Sequence, residues 1–264
     1  MTTQDDAEVP VLAANAGALD RGLAILTYVS SVRSCTVADL AAALDLTRST
    51  TYRLVDKLRE QGWLGADGPS GRVSLGPAAA RVGAAATGSS LLKDVAVPAL
   101  RELLRSTQET VSLAIPHDDV MVFIHREQGP RPVAVSAQLG SSRPMHTTSV
   151  GRAYLSALPE DEREAMIQRL MDSPQSTLTS RTLGRLRDEI ERTRERGWSQ
   201  DEREFDYSSA CCGAAIYDAA GYPVAAISVA GVAERMEGIL GQMGPQVRHA
   251  AEVITLTTGG TLPQ

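Results

Sequence analysis

Residues 36–62 read TVADLAAALDLTRSTTYRLVDKLREQG, and this stretch decides the fold of the first part of the chain. Thr36 and Asp39 have the spacing of a capping box, in which each side chain binds the backbone N–H of the other, so a short helix is predicted over 37–44. A further helix is predicted over 47–61, because the threonine at its start is a good N-cap. The stretch therefore predicts two helices joined by a tight turn.

The flanking segments complete a small domain. Over 19–32 the apolar residues recur with helical spacing, which predicts a first helix ahead of the other two. Two strand candidates, 63–66 and 72–75, lie on either side of a turn rich in Gly and Pro, so a β-hairpin is predicted directly after the third helix. Three helices followed at once by a hairpin predict a winged helix-turn-helix, which is a DNA-binding fold.

The outer face of the third helix carries the candidate DNA-binding residues. Helical periodicity turns Leu54, Val55 and Leu58 toward the core and leaves basic and hydroxyl side chains facing solvent. Arginine can bond guanine bidentately in the major groove, and hydroxyls reach phosphates or base edges. An ordinary solvated helix is the alternative, but the whole succession of elements favours DNA. We predict DNA contacts from these residues of the helix and the wing: Thr47, Arg48, Ser49, Thr50, Tyr52, Arg53 and Arg72.

Composition limits the class of protein. A net charge of −6 argues against a protein that coats nucleic acid with its whole surface, but residues 19–81 carry a charge of +2. The three cysteines and four histidines lack the spacing of a metal site or a disulfide framework, so neither a metal nor a cofactor is expected. No apolar run is long enough to span a membrane and no signal-peptide pattern opens the chain, which predicts a cytoplasmic protein.

The second part of the chain predicts a mixed domain. Strands are predicted over 110–116, 120–126, 133–139, 212–217 and 224–230. Helices are predicted over 77–86, 91–106, 150–158, 160–171, 183–196 and 236–256. Strands, then helices, then strands indicate an α/β domain built on an antiparallel sheet. The predicted division is a disordered tail at 1–16, a winged helix-turn-helix at 17–76, a linker helix at 77–90, a second domain at 91–257 and a tail at 258–264.

Several segments resemble the IclR family of bacterial regulators, namely 18–23, 48–54, 71–76, 144–153, 197–204 and 211–231. The resemblance covers about residues 16–257. It implies an α+β protein in which an N-terminal winged helix-turn-helix and a linker helix precede a C-terminal GAF-like α/β effector-binding domain. It also implies a homodimer or a dimer of dimers on a palindromic operator in double-stranded DNA, controlled by a small-molecule effector. Most such proteins repress transcription and some activate it.

The same resemblance implies an effector pocket, whose residues would be Met145, His146, Ser149, Val150, Gly151, Asp201, Cys211 and Ser228. Physically, the free N–H groups at the start of a helix favour a carboxylate or another anion, although an ordinary N-cap without a ligand is the alternative. Ser208, Ala215 and Ala230 replace the Gly, Pro and Ser that are frequent in the family, which alters the polarity of the pocket. Arg143 and Arg152 nearby favour a carboxylate-bearing or aromatic acid.

Two other classes of protein are alternatives. An enzyme could pair Cys211 with His146, or Ser228 with an acid, as nucleophile and base. The sequence lacks Gly-x-Ser-x-Gly, a phosphate loop, His-Glu-x-x-His and Cys-x-x-Cys, so no catalytic residues are predicted. A small-molecule sensor could instead act on a protein partner, with the helical domain serving only dimerisation. The prediction is a ligand-responsive transcriptional regulator, a repressor before an activator, and the sequence does not name its effector.

Overall fold

Two compact units, 1–88 and 89–264, make up the chain. The computed structural model describes residues 10, 12–13, 16–32, 34–67, 72–86, 90–131, 138–174 and 176–263. Several predicted segments therefore lie wholly or largely outside the described residues: the tail at 1–16, the hairpin turn at 68–71, the junction at 87–89 and the strand at 133–139. The last two residues of that strand prediction, Gln138 and Leu139, are described and are not in a strand.

The first unit packs helices against a three-stranded sheet. Its elements in chain order are α1 (Ala18–Val32), β1 (Ser34–Cys35), α2 (Val37–Ala43), α3 (Arg48–Glu60), β2 (Leu64–Asp67), β3 (Arg72–Leu75) and α4 (Pro77–Ala86). Strand β3 lies between β1 and β2 and is antiparallel to both. Ile25 of α1, Leu40 of α2, Val55 of α3 and Val73 of β3 are fully buried in one apolar core. The predicted three helices and hairpin are confirmed.

Local hydrogen bonds set the helix boundaries of this unit. Thr36 accepts from the Asp39 N–H at 3.1 Å and its own N–H donates to the Asp39 carboxylate at 2.9 Å, so the predicted capping box is present. Thr47 caps α3 by accepting from the Thr50 N–H at 3.3 Å. Gly62 follows α3 with a φ of +72°, a left-handed conformation that glycine adopts without strain. Strand β1 was not predicted, because a strand of two residues is too short to show an alternation of apolar and polar side chains.

The second unit is, within the described residues, a six-stranded antiparallel sheet covered by helices on both faces. Its elements are α5 (Ser90–Thr107), β4 (Thr110–His117), β5 (Val120–Glu127), β6 (Ser142–Pro144), α6 (Ser149–Ala157), α7 (Glu160–Asp172), α8 (Ser180–Arg196), β7 (Ser199–Glu202), β8 (Ser209–Tyr217), β9 (Pro223–Val232), α9 (Ala233–Met236) and α10 (Leu240–Thr257). The strand order is β6-β5-β4-β9-β8-β7. Helices α5 and α10 pack on one face, and α6 packs on the other with α7 and α8 around it. Because both faces are covered, β8 and β9 consist of small and apolar residues with little polar alternation.

This unit differs from the predicted one in three places. The short strands β6 and β7 were not predicted, because three or four residues without alternation give no strand signal. The helix predicted over 236–256 is confirmed from residue 240 onward as α10, but its predicted start is wrong, because a turn in which Gly238 has a φ of +81° separates α10 from α9. The predicted tail at 258–264 is hydrogen-bonded to the rest of the unit, because the Thr261 N–H donates to the Asp218 carbonyl at 2.9 Å. No helix in the described ranges combines the length and apolar character needed to cross a membrane.

Candidate nucleic-acid interface and effector site

The predicted DNA-binding residues of α3 lie on one exposed face. Arg48 and Arg53 are exposed, and Tyr52 leaves 55% of its surface open. On the opposite side of the helix, Thr51 and Val55 are fully buried in the core of the first unit. This division follows from the helical period of 3.6 residues, which separates the two sets of side chains onto different faces.

Hydroxyl groups cluster at the start of α3. Thr47 Oγ1 lies 2.9 Å from Thr50 Oγ1 and 3.3 Å from Ser49 Oγ, and these three residues form the hydroxyl cluster. They occupy the end of the helix at which unbonded N–H groups and the helix dipole favour a phosphate. The hydroxyl cluster and the exposed arginines therefore lie on the same half of α3.

The basic residues of α3 differ in whether an acid neutralises them. Lys57 Nζ lies 2.9 Å from a carboxylate oxygen of Glu60, and both side chains are mostly exposed. Among the residues that the structure describes, Arg48 and Arg53 form no ion pair. The positive charge of α3 that remains available to a ligand is thus concentrated in its N-terminal half.

Arg72, the predicted wing contact, is half-buried and bonded within the first unit. Its Nε donates to Ser34 Oγ at 3.2 Å and its Nη2 donates to the Ser34 carbonyl at 2.8 Å. These bonds tie the start of β3 to β1. Sequence reasoning missed this bracing contact, because a partner 38 positions away leaves no local pattern.

The register of the large sheet brings distant effector-site predictions to one face. Asp201 of β7 lies opposite Cys211 of β8, and two residues further along β8, Gly213 lies opposite Ser228 of β9. Residues directly opposite one another, and residues two apart on a strand, share a face. A Cβ on Gly213 would lie 2.9 Å from the Ser149 carbonyl carbon, so this face is the one that α6 covers. Together with Ser149, the three side chains of Asp201, Cys211 and Ser228 form the effector cluster.

The start of α6 is held tightly against the sheet. Ser199 Oγ donates to the Ser149 carbonyl at 2.5 Å, and the N-cap threonine accepts from the Gly151 N–H at 3.4 Å. Only glycine fits at position 151, because a Cβ there would stand 2.3 Å from the Met145 carbonyl oxygen. Met145 and Val150 are buried in the apolar cluster of α6, α7 and α8. Both predicted site residues therefore shape the surroundings of the effector cluster and offer it no polar group.

Two polar atoms in the turn before α6 are buried without a hydrogen-bond partner in the described part of the chain. They are His146 Nδ1 and Thr147 Oγ1. The His146 side chain is almost fully buried, and its Nε2 lies 2.8 Å from Thr177 Oγ1. Burial, followed by the positive charge of Arg152, lowers the pKa of His146, so the ring is neutral at neutral pH. Unpartnered buried polar atoms cost free energy, which a molecule that bonds them would recover.

Asp201 is a buried acid beside the Cys211 thiol. It is 2% exposed, and its Oδ1 accepts from the Glu204 N–H at 2.9 Å. Burial nevertheless raises the pKa of Asp201 to about 6. Burial and the neighbouring Asp201 raise the pKa of the Cys211 thiol well above its ordinary value. The thiolate that a cysteine nucleophile needs is therefore scarce at neutral pH, which argues against Cys211 as a catalytic nucleophile.

Arg152 is a central residue of this region whose partners the sequence did not reveal. Only 3% of Arg152 is exposed. It lies on α6, whose other residues are largely small or apolar. Its Nε donates to the His146 carbonyl at 3.0 Å and its Nη1 donates to the Gln200 carbonyl at 2.9 Å. Nη1 and Nη2 also donate to the two carboxylate oxygens of Glu204, at 2.8 and 2.6 Å. A single charged side chain buried in such a helix indicates that another group of the protein must neutralise its charge.

Two cavities of the second unit are lined by residues outside the effector cluster. A groove of about 710 Å³ lies between α6, α8 and α10 along β8, with Thr193, Tyr217 and Arg248 among its walls. None of the predicted effector residues lines the described walls of this groove. A smaller cleft of about 190 Å³ is lined by Arg152, Glu204 and charged residues of α8. The smaller cleft is thus the one that reaches the charged pair next to the effector cluster.

Two family models match the chain. The model of the IclR helix-turn-helix domain matches residues 18–68, and that of the bacterial transcriptional regulator IclR C-terminal domain matches 84–256. The acetate operon repressor of Salmonella typhimurium is 33% identical over 92% of this chain and 90% of its own length. The HTH-type transcriptional repressor AllR of Escherichia coli is 34% identical over 95% of this chain and 93% of its own length.

Solved structures have the same architecture. IclR of Thermotoga maritima gives a TM-score of 0.73 at 24% identity and covers 91% of this chain and 98% of that one. A transcriptional regulator of Rhodococcus gives 0.69 at 29% identity, over 91% and 97%. An IclR homologue of Microbacterium hydrocarbonoxydans complexed with 4-hydroxybenzoate gives 0.71 at 21% identity, over 92% and 99%. The expected fold class, an N-terminal helix-turn-helix unit followed by an α/β unit, is confirmed.

Proposed function

The chain belongs to the IclR family of bacterial transcriptional regulators and is a DNA-binding regulator rather than an enzyme, and we propose that it is a repressor whose operator affinity a small acid changes. In this proposal residues 17–76 read DNA, 77–90 link the two functions and 91–257 bind the effector. Relatives that are repressors support the sign of the regulation. The observation that carries the proposal is the exposed basic face at the start of α3.

We assign base reading to Arg48 and Arg53. Their exposed guanidinium groups have no acid partner among the described residues, so they are available to the O6 and N7 atoms of guanine. The hydroxyl cluster is assigned to backbone phosphates, which position α3 in the major groove, and Tyr52 lies on the same exposed face. Arg72 is assigned to the wing, where it braces β3 against β1 while remaining partly open to the DNA backbone.

We assign the effector to the space between the start of α6 and the sheet, at the effector cluster. Gly151 would permit a close approach to the helix backbone, and Met145 and Val150 would form the apolar wall. His146 would bond the ligand through its unpartnered Nδ1. The Microbacterium homologue was solved with 4-hydroxybenzoate, which supports an acid that carries a second hydrogen-bonding group.

We further propose a homodimer or a dimer of dimers in the cytoplasm, where it would reach chromosomal DNA. Leu19 and Leu23 of α1 and Val82 of α4 are each more than half exposed, and a second copy would cover apolar side chains of this kind. Two copies of α3 in successive major grooves lie about 34 Å apart. A two-fold symmetric protein of this kind requires a palindromic operator.

A footprint on the DNA that flanks the protein's own gene tests this proposal. It is recorded at rising salt concentration and with a panel of small carboxylic and aromatic acids. Protection of a palindrome that weakens steeply with salt, and that one acid alters, is the expected result. Absence of protection at any salt concentration would overturn the proposal and favour a sensor that acts on a protein partner. A reporter assay on the protected promoter separates repression from activation.

A further inference from the structure

Arg152 and Glu204 form an ion pair with one buried and one exposed partner. The Arg152 side chain is 4% exposed and that of Glu204 is 44% exposed, with Nη2 and Oε2 2.6 Å apart. Two backbone carbonyls, in the turn before α6 and in β7, also hold the guanidinium in place. In the described structure the Glu204 carboxylate is bonded through Arg152 alone. The arginine is therefore fixed, whereas the carboxylate is exchangeable.

A buried guanidinium needs an anion. Removal of one partner from a buried ion pair leaves an uncompensated charge, which is strongly unfavourable, whereas exchange for another carboxylate keeps the charge paired. Carboxylates fit the arginine fork through two parallel N–H···O bonds, as Glu204 does with Nη1 and Nη2. A small carboxylic acid can take this place, and a neutral ligand cannot replace the charge.

The surroundings of the pair indicate a second group on the incoming acid. The carbonyl of His146 accepts from Arg152, and the ring of the same residue keeps a buried, unpartnered Nδ1. Thr147 Oγ1, next in the chain, is likewise buried without a partner in the part that the structure describes. Asp201 of the effector cluster holds the backbone N–H of Glu204. The pair is thus continuous with the effector cluster, and a second hydrogen-bonding group on the same acid would satisfy these atoms.

We propose that Glu204 is a built-in competitor of the effector, so that a small carboxylic acid replaces it on Arg152 and releases the segment 203–208. This inference rests on the proposed function. Arg203 in the same segment bonds Glu234 at 3.0 Å and Glu237 at 2.7 Å, at and just after α9. Release of Glu204 is therefore transmitted to α9 through the segment that carries both residues.

Chemical rescue by acetate tests the exchange at Arg152. Glu204→Ala removes the carboxylate and leaves room for a free one. The matched control is Glu164→Ala, which removes a carboxylate bonded at the same distance of 2.6 Å to an exposed arginine outside the cleft that Arg152 lines. We expect acetate, compared with chloride at equal ionic strength, to raise the Tm of Glu204→Ala and to leave the control and the wild type unchanged. If acetate raises the Tm of Glu204→Ala no more than that of the control, the proposal is overturned. Where Glu204→Ala does not fold, Glu204→Ser, which also removes the carboxylate and leaves room for acetate, takes its place.

Calorimetry on the full chain tests the competition itself, with 4-hydroxybenzoate and its neutral amide as probes. Glu204→Gln should bind the acid about tenfold more tightly than Glu164→Gln does, and should bind the amide no better. Equal acid affinities of the two variants, including binding to neither, would overturn the exchange. Operator footprints of the same variants keep the two proposals apart. Loss of all protection, in the wild type as well, counts against the regulator, whereas intact protection with equal acid affinities counts against the exchange alone.

Discussion

Arginine is used in opposite ways in two regions of the molecule. On α3, Arg48 and Arg53 are exposed and form no ion pair within the described chain, whereas on α6 Arg152 is buried and bonded to a carboxylate and two carbonyls. Water solvates an exposed charge at little cost, so it stays available to a phosphate or a base. A buried charge must be matched inside the protein. The exposed face of α3 can therefore bind an anion without breaking an existing ion pair. Arg152 can bind one only in exchange for the Glu204 carboxylate.

Removing the arginine from a buried pair and from an exposed pair makes the comparison quantitative. Arg152–Glu204 and Arg187–Glu164 have the same N–O distance of 2.6 Å, but both partners of the second pair are about half exposed. Arg152→Met should lower the free energy of unfolding by about 3 kcal/mol, because two backbone carbonyls also lose their donors. Arg187→Met should lower it by less than about 1 kcal/mol. Urea denaturation measures both, and equal losses would contradict the distinction between the regions.

The dependence of the unfolding free energy on pH gives a second test of the buried region, through Asp201. Burial raises its pKa to about 6 from the ordinary value of 3.8 that applies to the unfolded chain. The folded state thus binds this proton more tightly than the unfolded chain does. The resulting contribution to the unfolding free energy is fully present below the pKa of Asp201 in the unfolded chain, and it is lost as the pH rises through the pKa in the folded protein. Between about pH 4 and pH 7, the wild type should lose about 2 kcal/mol of unfolding free energy relative to Asp201→Asn.

The groups that face Asp201 define the control for this measurement. Arg152 and the backbone N–H of Glu204 lower its pKa, while the Glu204 carboxylate raises it, and the thiol of Cys211 lies beside it. Asp206→Asn is the control, because it replaces an exposed carboxylate in the same segment by an amide whose oxygen can still accept from the Ser208 N–H. If the difference in unfolding free energy between the wild type and Asp201→Asn does not change with pH, folding does not raise the pKa of Asp201.

Arg48 tests the exposed region, where a substitution should affect binding and leave folding intact. Arg48→Ala should weaken specific operator binding by roughly 10- to 30-fold, the loss of one bidentate base contact. Its stability should change by less than about 0.5 kcal/mol, because the side chain is exposed and has no acid partner among the described residues. Lys57→Ala, on the same helix but paired with Glu60, is the control. Fluorescence anisotropy on labelled operator would refute the assignment if both variants bound equally well.

Thr47 contributes both to local structure, as the N-cap of α3, and to the hydroxyl cluster. Thr47→Ala removes the N-cap of α3 and should lower the unfolding free energy by about 1 kcal/mol. Thr47→Ser keeps an oxygen at the same place and should retain both stability and DNA affinity. Thermal denaturation compares the two variants, and a serine variant as unstable as the alanine one would show that the methyl group, rather than the cap, matters.

The two regions also differ in how far sequence reasoning reached. On α3 the cap, the buried face and the exposed face were all predictable, because each depends on residues within one or two helical turns. In the second unit, the polar candidates were identified through a family resemblance, but nothing local showed that Ser228 and Cys211 share a face. The sheet register decides that, and a shift of one residue would have turned either side chain to the opposite face.

The sequence by itself determined most of the succession of helices and strands, apart from the short elements β1, β6, β7 and α9, and it also determined the reading helix and the family. Hydrogen-bonding side chains near helix ends and apolar periodicity act over a few residues, so their signals are readable in order along the chain. Tertiary structure alone decided that Arg72 braces Ser34, and that Arg152 and Glu204 meet across 52 positions. Burial and charge pairing depend on which distant segments the fold brings together, and this proximity is a property of the packed chain.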